Sequence, residues 1–187
     1  MRKIALAAVI AAGLVALPAA ATAQTYTDPD GRITFETPRG WTVDRQNSPN
    51  QTVVLMFNAR NDCYLFGIPN PRTADASPSA VVRSTSTQIG ADAWTSAANS
   101  ITDFFPNNSA QLVSQSVETS GFWPVQRAEF SNGSKTVFGA LTLRPGFDLM
   151  AFCAATSGGS AEAYDSLFRS LGHPNDNQWE ANAPAGQ

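Results

Sequence analysis

Residues 125–155 read VQRAEFSNGSKTVFGALTLRPGFDLMAFCAA, and the fold is decided here. Val125 to Phe130 reads as a strand. Ser131-Asn132-Gly133-Ser134 follows, and Asn-Gly is the strongest short hairpin signal because both residues tolerate positive φ. Thr136 to Leu143 is a second strand. Pro145-Gly146 then turns the chain into a third, Phe147 to Ala155. Three strands joined by two tight turns make an antiparallel meander.

Upstream, Gln111 to Val117 alternates and adds a strand to the meander. Nearer the N-terminus, Gln24 to Gly31 reads as a polar lead-in closed by the turn Asp28-Pro29-Asp30-Gly31. Ile33 to Glu36, Trp41 to Asp44, Thr52 to Phe57 and Cys63 to Ile68 read as four strands. Between the two strand groups, Ser77-Pro78 is a helix start, with Ser as N-cap and Pro at the first helical position. Val82, Ile89, Ala93, Ala97 and Ile101 recur at helical spacing, which predicts one amphipathic helix over 78–102, weakened at Gly90. Beyond the meander, Gly158-Gly159-Ser160 leads into a last helix whose apolar stripe is Tyr164, Leu167, Phe168 and Leu171. Gly172 and Pro174 end it.

The order is four strands, a helix, about four strands and a helix. Strand runs segregated from helices imply an α+β fold, a twisted antiparallel sheet with two covering helices. Three segments follow: residues 1–23, a single domain over 24–173, and a tail over 174–187 expected to be disordered, with Trp179 as one stray aromatic.

The first segment reads as a signal peptide. Met1-Arg2-Lys3 is positive, Ile4 to Leu17 is apolar, and Ala21-Thr22-Ala23 offers small residues before Gln24. The apolar run is shorter than a membrane span, and no later segment approaches that length. The expected location is therefore the periplasm or the exterior. After cleavage, 164 of the 187 residues remain, enough for one core. Ten Lys and Arg then face fifteen Asp and Glu, a charge of −5, and Lys135 is the only lysine left. Nucleic-acid binding needs clustered cations to neutralise phosphates, so that class is excluded. The Asn-x-Ser/Thr triplets at Asn50, Asn107 and Asn132 are discounted, because the short Ala-rich leader looks bacterial.

Cys63 and Cys153 are the two cysteines. In an oxidising compartment an even count reads first as a disulfide. Two buried thiols, or a reactive thiol, are the alternatives.

Phe35, Pro38, Gly40 and Trp41 form a Phe-x-x-Pro-x-Gly-Trp pattern, and Gly121 and Pro124 open a strand that leads to a hairpin. With the element order, this resembles the Mog1/PsbP-like fold group over about Tyr26 to Leu171. The group includes the oxygen-evolving-complex PsbP proteins, the Ran-binding Mog1 proteins and DcrB-like bacterial envelope proteins. The resemblance implies binding and assembly roles, and it brings no shared catalytic residues.

Catalytic groups are few. A serine hydrolase needs a base, and His173 is the only histidine, placed just past a helix end. There an imidazole is expected to meet the helix dipole or water. One His and two Cys make zinc unexpected, and no cofactor or metal is expected. Asp28-Pro29-Asp30-Gly31 resembles the start of a calcium loop but lacks the distal Glu, so a plain turn is expected. Gly158-Gly159-Ser160 lacks the Lys of a phosphate-binding loop. Asp44, Glu118, Glu129 and Asp148 are the candidates for a hydrolytic carboxylate pair. Phe122 and Trp123, two large aromatics beside Pro124 at a strand entrance, are the candidate binding residues, against a role as core plugs. The reading favoured by the sequence is an exported, non-catalytic envelope protein that binds a partner protein or a small apolar ligand. An exported hydrolase using strand carboxylates is the alternative.

Overall fold

A computed structural model describes residues 24–46, 48–155 and 161–183. The expected signal segment, Gly158-Gly159-Ser160 and the last residues of the expected tail lie outside the described residues.

The meander is present and forms one side of a seven-stranded antiparallel sheet. Its strands are β3 (Thr42–Gln46), β4 (Thr52–Phe57), β5 (Asn61–Pro69), β6 (Gln111–Glu118), β7 (Val125–Ser131), β8 (Thr136–Arg144) and β9 (Phe147–Ala155). Their order in space is β3-β4-β5-β9-β8-β7-β6. The β8–β9 turn is tight, with Arg144 opposite Phe147 and Gly146 at φ 78°. At the β7–β8 turn the backbone N–H of Asn132 donates to the C=O of Lys135. The Asn132 side chain accepts from the N–H groups of Ser134 and Lys135 and donates to the C=O of Phe104.

Antiparallel pairing lets both faces of the sheet carry apolar residues in alternation. Along β9, Leu149, Ala151 and Cys153 face one core, and Phe152 and Ala154 face the other. The first core is closed by the stripe Tyr164, Leu167, Phe168 and Leu171, carried on a 3-10 turn (Ala161–Tyr164) and α3 (Asp165–Ser170). The second is closed by Trp94, Ala98, Ile101, Phe104 and Phe105. There Trp94 packs edge-on against Phe130 and Phe152, with centroids 6.0 and 6.1 Å away. The helices therefore divide between the two faces.

Three expectations are corrected. The lead-in contains β1 (Gln24–Thr27), which pairs with β2 (Thr34–Thr37) as a separate hairpin, its Tyr26 ring stacked 4.8 Å from Phe35. Gln24-Thr25-Tyr26-Thr27 has no apolar alternation to announce a strand. The expected helix over 78–102 is two helices, α1 (Pro78–Thr85) and α2 (Ala91–Asn99). Between them the chain turns to hydrogen-bond with Gln126, fully buried on β7. Its Nε2 donates to the C=O of Thr85 and Thr87, and its Oε1 accepts from the N–H of Ile89. Finally, the expected disordered tail begins as α4 (Asp176–Ala181), held by a buried ion pair and an aromatic stack.

Candidate functional site

Gly121 to Pro124 is the turn that feeds β7, and it carries Phe122 and Trp123 to the edge of a cleft of about 560 Å³. The opposite walls are the segment Arg169–Pro174 and α4, and Thr27 and Thr34 of the β1–β2 hairpin complete it. The two candidate binding residues differ in exposure. Phe122 is half-buried, whereas Trp123 is 8% exposed and acts as a wall. Their rings meet edge to face at 4.9 Å.

Trp123 is fixed from behind by Arg144, whose guanidinium lies 4.3 Å from the ring centroid. Arg144 stands at the end of β8 and is 3% exposed. Burial pushes its pKa down, and the carboxylate of Asp176 opposes that shift. Nε and Nη2 donate to the two oxygens of Asp176 at 2.7 and 2.9 Å. The remaining N–H groups donate to Thr142 Oγ1 and to the C=O of Leu143 and Leu171. All five donors of the fork are thus engaged within the protein, so Arg144 shapes the cleft rather than offering a free charge.

Asp176 reaches this position because residue 172 is glycine. A Cβ there would come within 2.7 Å of Asp176 Oδ2. The same oxygen accepts from the N–H of His173. Gly172 is also pinned to β2, exchanging two backbone hydrogen bonds of 2.8 Å with Thr34.

His173 corrects the expectation of a ring facing water or a helix dipole. It is 5% exposed, stacked between Phe147 at 4.4 Å and Trp179 at 4.7 Å. Burial lowers its pKa; the Arg144 charge adds to that effect and the Asp176 charge opposes it. Nδ1 accepts from the N–H of Asn175. Trp179, the stray aromatic of the sequence, also packs 6.1 Å from Trp123.

The rim is ionic. Glu118 accepts from Arg127 at 2.8 Å and from Arg169 at 2.7 Å, and Arg127 also reaches Asp165 at 3.0 Å. Burial raises the Glu118 pKa, but the hydrogen bonds from Arg127, Arg169 and Ser120 outweigh it and hold the carboxyl below its ordinary value. A general acid needs the opposite shift. Glu129 shares the Glu118 face, but Glu118 pairs with Val125, four residues along β7 from Glu129. That is about 13 Å of strand, against roughly 5–9.5 Å between the carboxyl groups of glycosidase pairs. Asp148 accepts both of its contacts from Asn70 Nδ2, and Asp44 accepts from Gln46 on the edge strand β3. The four candidate carboxylates are not brought together.

Asp28 belongs to a structural turn. Its carboxylate accepts from Arg45 Nε at 2.7 Å, Thr52 Oγ1 at 2.7 Å and the N–H of Arg32. Cys63 and Cys153 stand directly opposite each other on β5 and β9, joined by a disulfide with Cα atoms 4.1 Å apart. Both are buried in the first core.

Among the described residues, no helix is long and apolar enough to cross a membrane. No family model and no curated protein matches the chain by sequence. Solved structures do match in shape. The solution structure of cyanobacterial PsbP (CyanoP) from Synechocystis sp. PCC 6803 superposes with a TM-score of 0.52 at 15% identity, over 88% of this chain and 98% of that one. A Bacteroides thetaiotaomicron protein gives 0.45 at 13% identity, over 83% and 50% of the two chains. LpqN of Mycobacterium tuberculosis, involved in cell envelope biogenesis, gives 0.36 at 12%, over 81% and 90%. The PsbP likeness covers nearly the whole domain, and the chain has the α+β fold of the Mog1/PsbP-like group.

Proposed function

We propose that this is an exported, non-catalytic envelope protein, cleaved before Gln24, that binds a partner through the cleft at Phe122 and Trp123. The cleft itself carries this reading. Loops bear function while the scaffold holds them, and here a loop-borne aromatic pair is braced by a buried ion pair at a cavity of small-molecule size. The buried cross-strand disulfide supports an oxidising compartment. Asp44, Glu118 and Asp148 are engaged in hydrogen bonds or ion pairs, and Glu129 stands four residues of strand away from the Glu118 pairing position, so no candidate carboxylate pair supports the hydrolase reading. The cleft walls, with Thr27, Thr34, Ser170, Asn177 and Glu180, are more polar than a purely apolar ligand requires, which favours a protein partner.

Native mass spectrometry on the mature protein, isolated from the envelope of its own cell, tests the reading. The expected mass begins at Gln24 and lacks two hydrogens relative to the dithiol. A stoichiometric adduct or photo-crosslinked partner should be present with Phe122 intact and lost in Phe122→Ser. An uncleaved cytoplasmic product, or an adduct indifferent to Phe122, would overturn it.

A further inference from the structure

Seven buried side-chain nitrogen and oxygen atoms have no hydrogen-bond partner in the protein among the described residues, and two of them belong to walls of this one cleft: Trp123 Nε1 and His173 Nε2. Both residues are more than nine-tenths buried. An indole nitrogen is always a donor. The imidazole is assigned by its other nitrogen. Nδ1 accepts from the N–H of Asn175, so the proton of the neutral ring sits on Nε2, which is then also a donor. Burial favours that neutral form. The cleft walls thus contain two uncharged N–H donors that lack acceptors within the protein, and an unmade buried hydrogen bond is costly.

The charges at the cleft narrow the class of acceptor. Arg144 is committed to Asp176, and Arg169 to Glu118. An anion would meet only Arg169, an exposed guanidinium whose Nε is already paired with Glu118, and would face Asp176 and Glu180. A neutral oxygen fits better. The outer walls offer the Asn177 amide, which both donates and accepts, and the Thr27 hydroxyl as an acceptor, as the alternating N–H and C=O of an extended backbone require.

We propose that the cleft binds an uncharged, extended peptide segment whose backbone carbonyl oxygens accept from Trp123 Nε1 and His173 Nε2. This rests on the cleft being the binding site. Both nitrogens lie below the surface, so a carbonyl reaching them shifts the Trp123 and His173 side chains that wall the cleft.

The test uses the ¹⁵N-labelled mature chain and three probes: N-acetyl-trialanine amide, sodium acetate and glucose. The chain has four tryptophans, and Trp123→Phe identifies the Trp123 indole resonance. The peptide should move that resonance downfield in a saturable way, and acetate and glucose should not. Trp123→Phe and His173→Phe keep the aromatic walls, and each should weaken the peptide about tenfold, the loss of one good hydrogen bond. Circular dichroism of both variants keeps misfolding distinguishable from lost binding. If acetate or glucose moves the indole as strongly as the peptide does, the peptide class is wrong while the cleft stands. If no probe moves it, the inference fails, and adduct mass with Phe122→Ser still decides separately whether the cleft binds.

Discussion

At the scale of single residues, the cleft depends on a short relay in which each member fixes the next. Gly172 admits Asp176, Asp176 holds Arg144, and Arg144 backs Trp123. Of these, only Trp123 is legible in the sequence, because an aromatic pair beside Pro124 at a strand entrance is a local pattern. Arg144 reads as an ordinary strand-end cation until Asp176, thirty-two residues later, is seen to reach it. His173 is legible as the only histidine but not as a buried one, since Phe147 and Trp179 come to it from distant parts of the chain. Its burial has a pH consequence. The unfolded chain protonates this ring near the ordinary value, about 6.5, and the fold holds it lower. Between the two values the unfolded state binds more protons, so His173 contributes stability above 6.5 that is lost as pH falls toward the folded value. Asp28 and Glu118, both held below their ordinary carboxylate values by their hydrogen bonds, leave that window clear. The difference in melting midpoint between wild type and His173→Phe should therefore shrink from pH 7.5 to pH 5. A difference that stays constant would place the ring in water.

At the scale of elements, alternation and turn chemistry make the strands of the seven-stranded sheet legible, because their signals are local. The helices are less so. A period-3.6 pattern through 78–102 predicts one helix, yet three backbone groups between Thr85 and Ile89 find better partners on Gln126 than in a helical ladder. Nothing in the local sequence shows that a polar side chain from β7 will be buried beneath that break. The consequence is a strong dependence on one amide. Gln126→Leu keeps the apolar volume but orphans two carbonyls and an N–H in the second core. A loss of about 3 kcal/mol is expected, since buried unmade bonds carry their full desolvation penalty. Gln126→Glu should be no better, because it replaces the donor to Thr85 and Thr87 with a negative oxygen. Urea unfolding measures both; a loss in Gln126→Leu below about 0.5 kcal/mol would mean that α1 and α2 rearrange into a continuous helix at little cost.

At the scale of the whole molecule, the two strand groups are far apart in sequence and adjacent in space only along β5 and β9. That seam joins the N-terminal strands β3-β4-β5 to the C-terminal meander, and the disulfide crosses it, with Cys63 opposite Cys153. The even cysteine count reads first as a disulfide, but the geometry of the pairing is a property of register: a one-residue slip of β5 would send Cys63 to the other face. The cross-link spans 90 residues, so constraining the unfolded chain is worth roughly 4–5 kcal/mol in the loop-entropy picture. Its burial in the first core adds a kinetic property, because a reductant reaches the sulfurs only when the seam opens. In native buffer with excess dithiothreitol, alkylation of Cys63 and Cys153 should be far slower than in 6 M urea. The fully reduced protein should melt well below the oxidised one, and Cys63→Ala/Cys153→Ala should match the reduced protein rather than the oxidised one. Fast alkylation in native buffer would show that the β5–β9 seam opens independently of global unfolding. The two halves of the sheet would then be separable units held together by the covalent bond, rather than one cooperative structure that the bond reinforces.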